Sequence, residues 1–240
     1  YSDSGAKQRE NALDVLKRHG VNILWRDNNS SSKGVADRVE FQDFRTPDHN
    51  PVCDIECRDE GMLFGLEDYI DSHPVGDVLI ILHPMGSHGP EYYKRYPAAK
   101  EFFRPTCKTN ELANCSHEEL VNTYDNTIRY TDDFLKKVID FIDSKYPEQE
   151  TAMFYIGDHG ESLGENGLYL HGMPFMVAPS AQTHVPAMVW TGKNFDFPIE
   201  SIAKNKLNSY SHDNIYCTLL SVFEVQTSDC KPEDNMFFSE

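Results

Sequence analysis

Apolar positions follow two rhythms along this chain. In "ENALDVLKRHG" (Glu10–Gly20) they recur at helical spacing, and Gly20 stands where a C′ glycine closes a helix. "VNILW" (Val21–Trp25) follows as a strand. "GMLFGLEDYID" (Gly61–Asp71) reads as an amphipathic helix, and "DVLIIL" (Asp77–Leu82) as an all-apolar strand of a sheet covered on both faces. Ser116 and Glu119 form an S-x-x-E capping box. Beyond it, Leu120, Tyr124, Ile128, Leu135, Val138 and Ile142 mark one face of a helix that runs to Tyr146, just before Pro147. "TAMFYIG" (Thr151–Gly157) and "VPAMVW" (Val185–Trp190) are two more core strands, and Ser211 caps a last helix to Phe223. Strands alternating with helices predict an α/β fold, with no internal repeat.

With 240 residues, 39% of them hydrophobic, the chain can bury a core. The longest apolar run, Val78–Leu82, is far short of the roughly 20 residues of a membrane helix. No signal-peptide pattern stands at Tyr1. The opening residues read as internal to a longer chain, with a membrane anchor expected upstream. A net charge of −17 excludes a nucleic-acid partner and electrostatic adhesion to anionic lipid. An anionic substrate would need a local cation.

Six cysteines change the picture further. Cys53 and Cys57 are spaced C-x3-C, and Cys107 and Cys115 C-x7-C, in loop-like stretches. Neither fits the paired C-x2-C knuckles of zinc thiolates, so disulfides in an oxidising compartment are expected. Closing those loops is worth about 2 and about 2.5 kcal/mol in the chain-entropy account. For Cys217 and Cys230 the sequence leaves two readings: a third bridge, or a buried free thiol at Cys217.

Candidate chemistry collects at strand ends. In "YIGDHGESLGENGLYLHG" (Tyr155–Gly172), Asp158 and His159 are neighbours, which on a regular strand face opposite ways. Gly157 and Gly160 are expected to allow the turn that would let both meet one object. His83 and His88 follow Asp77–Leu82 in "LHPMGSHGP". Ligands of open parallel sheets lie beyond the carboxyl ends of strands. Asp158 and His159 suit zinc, with a further ligand from His88, His171 or Glu161; the simpler alternative is an Asp–His hydrogen bond without metal. His88 and His171 either ligate metal or hold an anionic group and pass a proton to a leaving oxygen. His19, His49, His73, His117 and His184 read as solvated, His83 as packed and structural, and His212 as ordinary. "RDNNSSSKG" (Arg26–Gly34) either holds phosphate oxygens, with Lys33 as the fixed charge, or is a solvated loop. "NTYDNT" (Asn122–Thr127) reads as the wet face of its helix. No nucleophile stands out among Ser87, Thr106 and Ser162, and no cysteine starts the C-x-P-x-R signature of sulfatases.

"DHGESLGENGLYLHG", "MGSHGPEYYKRYP", "LVNTYDNTIRYTDDFL" and "WRDNNSSSKG" together resemble the lipid A phosphoethanolamine transferases, which include the mobile colistin-resistance enzymes. The resemblance runs from about Glu10 to the last helix. It implies the α/β/α sandwich of the alkaline-phosphatase-like superfamily, with a mostly parallel central sheet. It implies that residues 1–240 are one periplasmic catalytic domain, truncated on its N-terminal side, at the periplasmic face of the bacterial inner membrane. By the same resemblance Asp158 and His159 are zinc ligands, and His88 and His171 bind the phosphoethanolamine group or a second zinc. Ser30 and Lys33 match substrate-pocket positions, and Cys53–Cys57 and Cys107–Cys115 match disulfides. The family's other two ligands, a glutamate and the nucleophilic threonine, are expected before Tyr1, after a membrane domain. The segment alone is therefore expected to be inactive. The implied donor is phosphatidylethanolamine, the acceptor lipid A, and the outcome polymyxin resistance. Two alternatives are a related metal-dependent phosphatase, phosphodiesterase or glycerol-phosphate transferase, and a periplasmic module without catalysis.

Overall fold

The computed structural model describes residues 3–197 and 199–237. The chain divides into two compact units: residues 1–43, 65–83 and 196–240 form the first, and 44–64 and 84–195 the second.

In the first unit, helix α1 (Asp3–Gln8) precedes α2 (Ala12–Arg18). Asn11 caps α2 in a reciprocal box with Asp14, and Gly20 takes the left-handed C′ conformation (φ +88°) that closes it. Strands β1 (Asn22–Asp27), β2 (Glu40–Asp43) and β3 (Val78–His83) make a parallel sheet in the order β2-β1-β3. All six residues of β3 are half-buried, whereas the sequence reads them as fully covered. β3 is a margin of its three-stranded sheet, while central β1 buries Ile23, Leu24, Arg26 and Asp27. The core joins Leu13, Leu16, Val21 and Ile23 to Leu220 of helix α7 (Asp213–Val222). Ser211 Oγ accepts the Asp213 N–H and Asn214 Oδ1 accepts the Ser211 N–H, so the expected cap acts from two residues ahead of the helix. Cys217 and Cys230 are bridged, which settles the question the spacing left open. The expected helix Gly61–Asp71 is broken: a 3-10 turn (Asp59–Leu63) ends in the second unit, and helix α3 (Leu66–Asp71) begins after Gly65 (φ +63°) in the first. Helix α6 (Ile199–Asn205) completes this unit's helices among the described residues.

The second unit is built on helix α4 (His117–Lys145), capped by the Ser116–Glu119 box. Strands β4 (Ala152–Ile156) and β7 (Ala187–Thr191) pair antiparallel, and β5 (Ser162–Leu163) pairs with β6 (Tyr169–Leu170). A return parallel to β4 would need a crossover element, and between the two strands the chain forms no helix longer than α5 (Ser180–Thr183). The chain is thus α/β with a parallel sheet and, beside it in the count, this antiparallel pair. Both expected disulfides, Cys53–Cys57 and Cys107–Cys115, are formed.

Two readings of α4 are corrected. Ile128 is exposed, while Thr123, Asn126 and Thr127 of the supposed wet face are buried. The buried face is centred on Thr123, Thr127, Tyr130 and Phe134, so Ile128 falls beyond its edge. The polar groups there are clamps. Asn126 Oδ1 accepts the N–H groups of Phe102 (2.8 Å) and Phe103 (2.9 Å), and its amide donates to the Phe103 carbonyl. Thr123 Oγ1 accepts the Cys107 N–H at 2.7 Å, and Thr127 Oγ1 lies 2.7 Å from Ser87 Oγ. Each buried side chain replaces the water that an irregular segment would otherwise need.

Candidate metal centre

The centre lies in the second unit, where three loops deliver one imidazole each. His88 comes from the segment after Pro84, His159 from the end of β4, and His171 from the end of β6. Their ring nitrogens include one from each residue that all lie within 4.8 Å of one another. The rings of His159 and His171 stack at 3.8 Å, and His88 meets His171 at 5.0 Å and His159 at 6.0 Å, edge-on.

All three Nδ1 atoms face oxygens that can only accept. His88 Nδ1 is 2.7 Å from the Gly89 carbonyl, His159 Nδ1 3.1 Å from the Gly160 carbonyl, and His171 Nδ1 3.1 Å from Glu161 Oε1. Each Nδ1 therefore carries the proton, and in the neutral ring each Nε2 keeps its lone pair. This is the outer-shell arrangement that metal-binding histidines use. Nitrogens on a tetrahedral zinc sit about 3.3 Å apart, at bond lengths of about 2.05 Å, so a small contraction makes three ligands of these rings. The donor set fits the zinc that the resemblance implies.

Glu161, offered by the sequence as a ligand, is instead buried and engaged. Its carboxylate accepts the Gly89 N–H (3.2 Å), the Tyr92 hydroxyl (3.1 Å) and His171 Nδ1. Burial and the Glu161 charge push the Tyr92 hydroxyl well above its usual range, so it stays protonated and donates. Burial, then Glu161, raises Tyr124 to about 12. Glu161→Gln would turn an amide N–H towards one of three donors. We expect metal affinity to fall about 10–100-fold, measured by chelator competition, and the melting temperature to fall by a few degrees, since a buried donor left without an acceptor costs about 1–3 kcal/mol. An affinity within twofold of the parent would remove Glu161 as the orienting group.

Asp158 stands beside this group. Its side chain is 79% exposed, Oδ1 accepts the His159 N–H at 3.0 Å, and Oδ2 lies 3.6 Å from His159 Nε2. Neither flanking glycine is in a left-handed conformation, contrary to the expected glycine turn. Gly160 is needed for space: a Cβ there would lie 2.0 Å from the Ala181 carbonyl oxygen.

The sequence missed the residues that hold the His88 loop. Buried Asp59 accepts the N–H groups of Met85 (2.8 Å) and Gly86 (3.1 Å). Arg95 pairs with Glu56, inside the Cys53–Cys57 loop, and its Nε donates to the His88 carbonyl at 2.6 Å. The clustered aromatic and basic residues of "YYKRYP" carry no periodic signal that would single out Arg95.

Ser30 and Lys33 lie in the first unit, both exposed, on the loop after β1. Lys33 adopts a left-handed backbone (φ 53°). His83 is packed, as expected: its Nδ1 donates to buried Asp27 (3.1 Å), and its ring meets Trp25 edge-on. Among the described residues no helix is long and apolar enough to cross a membrane.

A sulfatase family model matches residues 1–225. Phosphoethanolamine transferase EptA of Salmonella typhimurium is 44% identical over 98% of this chain and 44% of its own length. Phosphatidylethanolamine transferase Mcr-1 of Escherichia coli is 46% identical over 96% of this chain and 43% of its own. The chain thus spans under half the length of these curated relatives. The soluble domain of lipooligosaccharide phosphoethanolamine transferase A from Neisseria meningitidis superposes with a TM-score of 0.89, at 37% identity, over 99% of this chain and 72% of that one. The chain belongs to the sulfatase family, and within it to the phosphoethanolamine transferases.

Proposed function

We propose that this chain is the catalytic part of a zinc-dependent enzyme that moves phosphoethanolamine from phosphatidylethanolamine to a lipid A phosphate. It would work at the periplasmic face of the bacterial inner membrane and confer polymyxin resistance. The observation that carries this reading is the set of three imidazoles, each with Nδ1 held by an oxygen and Nε2 left to bind. The relatives' names supply the transferred group.

In this reading Asp158 and His159 hold one zinc, supported by the 3.6 Å between Asp158 Oδ2 and His159 Nε2. An ion held by these two side chains would be a Lewis acid towards phosphoryl oxygens. His88 and His171 bind the headgroup phosphate, or a second zinc, and either can give a proton from Nε2 once protonated, because Nδ1 is fixed by its acceptor. Ser30 and Lys33 bind phosphate oxygens.

The test is mass detection of phosphoethanolamine on lipid A in cells that express the intact protein or its His171→Ala variant. Modification is expected to drop at least about 100-fold, the scale of a lost general acid. Undiminished modification would take His171 out of the reaction. Release of free phosphoethanolamine to water, without the lipid A adduct, would move the protein to the hydrolases of its superfamily.

A further inference from the structure

We propose that the loop Met173–Val177, which leaves the centre directly after His171, dips into the surface of a zwitterionic phospholipid bilayer. This rests on the reading above only in taking the substrate to be a lipid headgroup. The tip is apolar and bare: Phe175 is 82% exposed, Met176 95% and Val177 63%. Single exposed hydrophobic residues are ordinary, but three in succession at a site mouth mark a contact surface. Phe and Met side chains are of the kind that enter the boundary between headgroups and acyl chains.

Three features argue for lipid. First, no Asp, Glu, Lys or Arg occurs between Glu165 and Lys193, in a chain that is 25% charged and carries −17 overall. An uncharged face suits a zwitterionic surface and avoids the repulsion that anionic lipid would exert on the rest of the protein. Second, the tip closes as a turn on its own backbone. The N–H groups of Val177 (2.9 Å) and Ala178 (3.0 Å) donate to the Pro174 carbonyl. Unpaired amides are costly at a membrane surface, and the turn removes that cost for these two. Third, the loop is anchored to the centre. Buried Gln182 accepts the Met173 N–H on its side chain (3.4 Å), donates to Ser162 Oγ (2.9 Å), and offers its carbonyl to Gly160 N–H (3.0 Å). The apolar tip and the His159–Glu161 segment are thus held by one residue, so seating the tip in lipid would bring headgroups to the imidazoles.

The experiment uses vesicles of phosphatidylethanolamine and phosphatidylcholine, with and without phosphatidylglycerol. Co-sedimentation of the chain is expected, weakened by the anionic lipid. A Phe175→Asp/Met176→Asp double variant should lower the partition coefficient at least about tenfold, or about 1.4 kcal/mol, with melting temperature and bound zinc unchanged. In Phe175→Trp, the added indole should shift to shorter emission wavelength with vesicles and be quenched by lipids brominated on their acyl chains. Equal partitioning of the double variant and the parent would overturn the proposal, as would an indole that brominated lipid leaves unquenched. So would a concentration-dependent dimer, without lipid, that the double variant abolishes. None of these readouts depends on transfer to lipid A, so loss of the transferase reading and loss of this one are told apart.

Discussion

His159→Ala is expected to lower metal affinity by more than about 100-fold, the upper end of the effect of losing only an outer-shell partner. Two sets of ligands are geometrically available, and His159 is common to both. It contributes to the cluster His88, His159 and His171, and its Nε2 is also the atom that Asp158 Oδ2 approaches at 3.6 Å. No relocation of an ion between the two sets spares this residue. The fold should tolerate the change, since His159 is part-exposed and its hydrogen bond runs only to the adjoining Gly160 carbonyl. Chelator competition and mass spectrometry of the native protein would measure it, with melting without metal as the control for folding. His88→Ala, His171→Ala and Asp158→Ala then report which set the ion uses. Unchanged metal retention in His159→Ala would remove the centre from the fold's chemistry altogether.

What could be read from the sequence was local, or borrowed from a family. The Ser116 box, the Gly20 closure and the strands around Ile23, Ile80 and Phe154 follow from nearest-neighbour rules, and the structure keeps them. The convergence of His88 with Asp158 and His159 was visible because each follows an expected strand; the short strand that carries His171, Tyr169–Leu170, was not. Direction of pairing was not: β4 and β7 look alike as apolar runs whether they lie parallel or antiparallel. Nor was the burial of Asn126, because an amide at a helix position reads as wet unless a distant segment offers it three partners. Glu161 shows the same limit. Its neighbours in sequence suggest a ligand, while its role is set by Gly89 and Tyr92, some 70 residues away.

Gly160→Ala is expected to destabilise the second unit by at least about 3 kcal/mol, the upper range for overpacking a closed site. The new methyl would stand 2.0 Å from the Ala181 carbonyl oxygen, 3.1 Å from its carbon and 3.4 Å from the Gln182 Cα. These are backbone atoms, so no side-chain rotation relieves the contact. Nor can the two segments part cheaply, because Gly160 N–H is bonded to the Gln182 carbonyl at 3.0 Å, and the Gln182 side chain is itself tied to Ser162. For a domain of this size each kcal/mol moves the midpoint by about 2–4 °C, which predicts a drop of about 6–12 °C in a thermal scan. Gly157→Ala is the matched comparison. Its nearest neighbour would be the Val185 Cβ at 3.2 Å, a side-chain atom that can give by a few tenths of an ångström. Its loss should stay below about 1.5 kcal/mol. Because Gly160 separates His159 from Glu161, any shift that accommodates the methyl also moves the orienting carboxylate relative to the imidazoles. Metal affinity should therefore fall together with the melting temperature in Gly160→Ala and not in Gly157→Ala. Equal midpoints for the two variants would show that the close approach of residues 160 and 181 is not what demands a glycine there.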